Sequence, residues 1–211
     1  MASISETLRL VELTCARLCH ELSGLAGTLG GIIDLALEET PVASETLAVG
    51  RDAARELVQR LKLLRAAWGP DLGPLTLTGL LTLADGRPNA RRVLVDAAGL
   101  PPDTVFAPPT GRLALNLLLL ASDSLPGGGT VSLAGSAADL FVAIDGPRAA
   151  WPSGFAGCLA DETAAFAALN GARTLQMPLT ALLAQGLGLR LSLLMAPRSD
   201  AGPPPLRLET P

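Results

Sequence analysis

The chain has 211 residues and a mass of 21.6 kDa, room for one mid-sized domain or for a helical module joined to a second domain. Hydrophobic residues make up 49% and charged residues 17%, with a mean hydropathy of +0.41, which excludes intrinsic disorder for the bulk of the chain. A formal net charge of −4, 3% aromatics and no Tyr leave neither the cations nor the stacking rings of a nucleic-acid binder.

No membrane partner is expected. The longest uncharged stretch, Thr174 to Leu189, carries Gln176, Pro178 and Gln185 and falls short of the roughly 20 apolar residues that span a bilayer. The opening MASISETLRLVELTCARLCHEL mixes acids and arginines into an apolar pattern and lacks the basic and apolar regions of a signal peptide, so a cytoplasmic protein is expected. Cys15, Cys19 and Cys158 are odd in number and at no framework spacing, as suits reduced thiols.

In chain order, Ile4, Leu8, Val11, Cys15, Leu18, Leu22, Leu25, Leu29 and Ile32 alternate spacings of four and three, the seam of a helix packed in a bundle. The pattern ends near Glu38 and Glu39, and Thr40-Pro41 marks a turn into a second helix. The seam of that helix runs Leu47, Gly50, Ala54, Leu57, Leu61, Leu64 and Trp68, with Arg60 among the charged residues on its other faces. A first helix of roughly 30 residues, about 45 Å long, cannot bury its seam against one neighbour. Two hairpins are therefore expected to pair as a homodimeric four-helix bundle.

Gly69-Pro70-Asp71-Leu72-Gly73-Pro74 breaks the periodicity, placing a boundary between a helical hairpin at 1–69 and a second domain at 70–211. The second domain reads as helix at Leu75–Ala84, strand at Arg92–Asp96, and a loop bracketed by Pro101, Pro102, Pro108 and Pro109. An apolar helix follows at Gly111–Ser124, then a hairpin of strands at Thr130–Ala134 and Leu140–Ile144. Helices at Glu162–Leu169 and Leu179–Gln185, strands near Leu189–Met195 and Leu206–Leu208, and a loose tail at Ser199–Pro205 complete it. The fold class is α+β: a helical hairpin followed by an α/β sandwich.

His20 is the only histidine. With Leu18 and Leu25 at d and Leu22 at a, it takes f, facing away from the seam, among Leu13, Ala16, Arg17, Ser23, Gly24 and Gly27. An unprotonated imidazole carries a free nitrogen lone pair. Its exposed nitrogen is a competent nucleophile toward phosphorus, and Glu21 could orient or deprotonate it. Metal binding by Cys15, Cys19 and His20 competes poorly, because His20 points about 100° from Cys19 and no second histidine exists. Gly24, Gly27, Gly30 and Gly31 each cost a helix about 1 kcal/mol relative to Ala. Close approach of a partner would compensate; for Gly30 and Gly31 the second helix is expected to be that neighbour.

Cys19-His20-Glu21-Leu22 resembles the phospho-acceptor box of histidine kinases. Leu113-Ala114-Leu115-Asn116-Leu117-Leu118-Leu119-Leu120-Ala121 and Gly127-Gly128-Gly129-Thr130-Val131 look like a helix and strand of the kinase ATP-binding (Bergerat) fold. The kinases carry a further metal-holding asparagine where this chain has Leu120. Asp145-Gly146-Pro147-Arg148 keeps only a fragment of an adenine-binding glycine box, and Gly186-Leu187-Gly188-Leu189 follows a helix instead of opening one. An intact histidine with a decayed ATP site resembles the ChpT-type histidine phosphotransferases of alphaproteobacterial phosphorelays.

The resemblance implies a phosphoryl relay through His20 between receiver-domain aspartates, without ATP. The donor would be the receiver domain of a hybrid histidine kinase, and the acceptors the receivers of response regulators. No cofactor is expected on this chain, with Mg²⁺ on the partner receiver. Glu21 would assist the imidazole, Arg17 would sit near the phosphoryl charge, and Leu13, Ala16, Ser23, Gly24, Gly27 and Arg148 would help dock the partner. The competing readings are a non-catalytic dimeric interaction module and a divergent ATP-dependent kinase.

Overall fold

A computed structural model describes residues 3–38, 43–70, 73–194 and 202–210. Helix α1 spans Ile4–Glu38 and α2 spans Ser44–Trp68, packed against each other as a hairpin. A capping box starts α1: Ser3 Oγ accepts from the Glu6 amide at 3.1 Å, and Glu6 Oε2 accepts from the Ser3 amide at 2.7 Å. The expected turn at Thr40-Pro41 and part of the 69–74 linker, Asp71 and Leu72, lie outside the described residues.

The second domain begins with strand β1 (Leu75–Thr76) and helix α3 (Leu77–Ala84), where the sequence suggested one continuous helix. The backbone stays extended through Thr76, whose side chain caps α3 by accepting from the Gly79 amide at 3.1 Å. β2 follows at Val93–Gly99 and β3 at Val105–Phe106, the latter pairing with β1 in a two-stranded ribbon. Pro108 and Pro109 do not close a loop; they open α4 (Pro108–Asp123), since a first helical turn has no use for the missing N–H groups. Strands β4 (Gly129–Gly135) and β5 (Asp139–Asp145) form the expected hairpin.

Helix α5 (Phe155–Ala160) has no counterpart in the sequence reading, being too short to show a period. Then come α6 (Glu162–Ala167), a 3₁₀ turn (Ala172–Thr174), α7 (Gln176–Gly186), β6 (Arg190–Leu193) and β7 (Leu206–Glu209). Met195 and residues 199–201 of the expected tail lie outside the described residues. The main sheet has the order β2-β4-β5-β7-β6, parallel between β2 and β4 and antiparallel elsewhere. Leu140, Val142 and Ile144 of β5 alternate with half-buried neighbours, as expected of a sheet covered fully on one face.

Helix α4 is buried on every side from Leu113 to Ser122, matching its all-round apolar sequence. The core reaches the hairpin through Leu63, Leu64 and Ala67 of α2, with Leu18 and Leu22 of α1 packed against it. A second cluster joins Leu13 of α1 to Leu169, Leu175 and Leu179. Three expectations are thereby corrected. The buried residues of helix α1, Leu13 and Arg17, lie off the heptad seam and face the second domain, and Arg60 is buried in α2. Gly30 and Gly31 have nothing within 4 Å of an added Cβ, whereas at Gly50 it would meet Ile32 Cγ2 at 3.2 Å, so the close approach of the two helices is there. No helix among the described residues is long and apolar enough to cross a membrane.

Candidate phosphotransfer site

His20 sits near the middle of α1 and is exposed, as its heptad position requires. Ala16, Ser23, Gly24 and Gly27 are exposed beside it, and a Cβ added to Gly24 or Gly27 would meet nothing within 4 Å. The Ser23 hydroxyl donates back to the Cys19 carbonyl at 2.6 Å, which ties it to the helix backbone. Among the described residues, none donates to or accepts from the imidazole. The result is an open, small-residue surface around one nucleophilic ring.

Leu13 and Arg17 do not share that surface. Leu13 is 6% exposed because Leu169, Leu175 and Leu179 cover it, so it is no free apolar anchor. Arg17 is 8% exposed because it turns toward the second domain, where one carboxylate and one backbone carbonyl meet it. Its Nη2 donates to Asp123 Oδ2 at 3.2 Å and its Nη1 to the Arg173 carbonyl at 3.1 Å. Its Nε lies 2.9 Å from Glu21 Oε1, an ion pair whose N–H is not aligned for a hydrogen bond.

Glu21 completes an ionic group whose side chains are shielded at Arg17, Glu21 and Arg60 and open to solvent at Asp123. Its Oε2 accepts from Arg60 Nη1 at 2.7 Å, and Arg60 Nε donates to the Gly86 carbonyl at 2.5 Å. Both carboxylate oxygens are therefore engaged by guanidinium groups. The role expected for Glu21, orienting or deprotonating the imidazole, has no contact with His20 behind it among the described residues, where both oxygens meet arginines. Desolvation pushes the Asp123 carboxyl above its usual range; Arg17 opposes this, Glu21 adds to it, and Arg60 opposes it more weakly.

Arg60, Asp123 and Arg173 escaped the sequence reading. Arg60 carried one signal: it falls on the stripe shared by Leu57, Leu64 and Ala67, where a charge needs a buried partner. Asp123 and Arg173 carried none, being brought to Arg17 across more than a hundred residues. Arg148 is exposed in the loop after β5, at a φ of 61°, outside this ionic group.

Beside Asp123 the second domain holds an open cavity of about 690 Å³, lined by Leu120, Cys158, Arg173, Gln176 and Met177 among others. Leu120, 1% exposed, gives this cavity an apolar wall. Gly188, at a φ of 66°, follows the end of α7 and leads into β6, so this glycine pair terminates a helix, as read from the sequence. Cys15 and Cys19 are exposed thiols and Cys158 a buried one. Among the described residues, no three His, Cys, Asp or Glu side chains converge to hold a metal ion.

The family model of the histidine phosphotransferase C-terminal domain matches residues 82–199. A solved structure described as a bacterial phosphotransferase aligns over 99% of this chain and 98% of that one, with a TM-score of 0.71 and 23% identity, a likeness of fold. No curated protein matches the chain significantly.

Proposed function

The chain belongs to the histidine phosphotransferase family by its C-terminal domain, and from that premise we propose that it relays a phosphoryl group between receiver-domain aspartates through His20. The observation carrying this reading is the exposed, lone imidazole on α1, flanked by the open surface of Ala16, Gly24 and Gly27. An imidazole nitrogen lone pair attacks the phosphorus of a receiver's aspartyl phosphate. The N–P bond forms as the acyl O–P bond breaks, and the aspartate leaves as carboxylate. Attack by a second receiver's aspartate reverses the bond changes and restores neutral imidazole.

Magnesium on the receiver would neutralise the transferring charge; this chain's part is to present the ring and exclude nothing that the receiver must bring. The donor is the receiver of a hybrid histidine kinase, the acceptors are receivers of response regulators, and the setting is cytoplasmic. Ser23 and Arg148 are further docking contacts on exposed surface. Two hairpins form a homodimeric bundle, because Ile4, Leu8 and Val11 remain 83%, 55% and 54% exposed on the single chain.

The test mixes the purified protein with phosphorylated receivers, with an ATP-only control, and follows acid-labile phosphate on wild type and His20→Ala. Label arriving from a receiver and lost in the variant is the expected result. Label from ATP alone would make the protein a kinase, and none from any donor would leave a non-catalytic interaction module.

A further inference from the structure

Arg17 and Glu21 flank His20 in sequence, on the side of α1 turned to the second domain, and their contacts reach three other segments. Arg17 grips Asp123 at the end of α4 and the Arg173 carbonyl of the 3₁₀ turn. Glu21 is shared with Arg60 of α2, which also grips the Gly86 carbonyl after α3. Two cations, Arg17 and Arg60, meet the carboxylates of Glu21 and Asp123 within one bracket, and the half-exposed Glu56 approaches Arg60 at 3.9 Å from its rim. Apolar side chains of similar volume would commonly be as stable in such a place, while an ion pair tolerates few geometries and an unpaired buried charge is strongly unfavourable. The bracket thus specifies one rotation of α1 and one seating of the second domain.

We infer that Arg17, Glu21, Arg60 and Asp123 position the phosphotransfer reaction: they act through the angle between the His20 face and the second domain, not by touching the transferring phosphoryl group. This rests on the relay proposed for His20. A receiver that touches both the His20 face and the second domain meets its acceptor only if that angle is held. Misplacement of reacting groups by about 1 Å can cost about 100-fold in rate. Arg17 is the hub, since its planar fork meets three partners at once, which a lysine ammonium on a flexible stem does not reproduce.

Because His20 is the only histidine, its carbethoxylation rate by diethylpyrocarbonate reports the imidazole's own nucleophilicity without a receiver. Arg17→Met removes the cation that faces Asp123; adding Asp123→Asn removes that unpaired carboxylate and leaves the Glu21–Arg60 contact in place. The double variant is expected to regain thermal stability and keep the wild-type carbethoxylation rate, yet transfer about 10- to 100-fold more slowly at saturating receiver. Arg17→Lys should also lower the maximal rate more than it raises the apparent receiver KM. Recovery of transfer together with stability in the double variant would overturn the inference, reducing the bracket to a structural element. Failure of wild type to accept phosphate from any receiver would instead defeat the relay reading itself.

Discussion

Asn116 Nδ2 donates to the Ala67 carbonyl at 2.8 Å, joining the buried middle of α4 to the last turn of the hairpin's second helix. The same amide nitrogen reaches the Arg112 carbonyl, and Gln176 Nε2 donates to Asn116 Oδ1 at 3.1 Å. An asparagine in a helix that resembles a nucleotide-binding element thus ties together α2, α4 and α7. Asn116→Leu should lower the free energy of unfolding by about 1–3 kcal/mol, because it leaves buried partners unpaired. Urea unfolding checks this: the midpoint should fall at an unchanged slope.

The apolar stripe Ile4, Leu8 and Val11 on α1, with Leu47, Val58 and Leu61 on α2, stays exposed on the single chain. A stripe of this kind marks an association face. On the proposed homodimer, Leu8→Glu combined with Val11→Glu should give a monomer, read as a halved mass by light scattering. An unchanged mass would remove the four-helix bundle.

Gly24 and Gly27 have open space around them, so replacing each by Ala should stabilise α1 by up to about 1 kcal/mol. Thermal melts should shift upward while transfer from a receiver slows, because the added methyl groups would stand on the proposed docking surface. Gly86 is the contrasting case. A Cβ there would run into the Gln59 carbonyl, so Gly86→Ala should lower the melting temperature by pushing the loop off α2 and its Arg60 contact.

Asp123 predicts a pH dependence. Arg17, Glu21 and Arg60 surround it, and desolvation raises its carboxyl above the ordinary 3.8. The folded state therefore holds the proton more tightly than the unfolded chain. Its contribution is most favourable below that ordinary value and is lost as pH rises through the raised one. Denaturant midpoints of wild type should fall relative to Asp123→Asn across that window and run parallel above it. A constant difference at every pH would refute the assignment.

The two long helices, the apolar α4 and the β4–β5 hairpin were legible because each is encoded locally: a three-four period, an all-apolar run, and alternation about a turn. His20 was equally legible, since its exposure follows from a helical angle alone. The two-residue strands β1 and β3 and the single-and-a-half turn of α5 are too short to leave a period.

Heptad arithmetic identifies one buried face of α1, the one that helices present to one another, and by that arithmetic Leu13 and Arg17 stand on the open side with His20. Only the tertiary structure brings Leu169, Leu175 and Asp123 against them and draws both oxygens of Glu21 to arginines. The exposure of His20 and of Ala16, Ser23, Gly24 and Gly27 beside it was determined by the sequence alone, because one helix suffices to present them. The setting of the second domain was decided in three dimensions, because a buried charge is placed by its counter-charges, and these come from segments far apart in the chain.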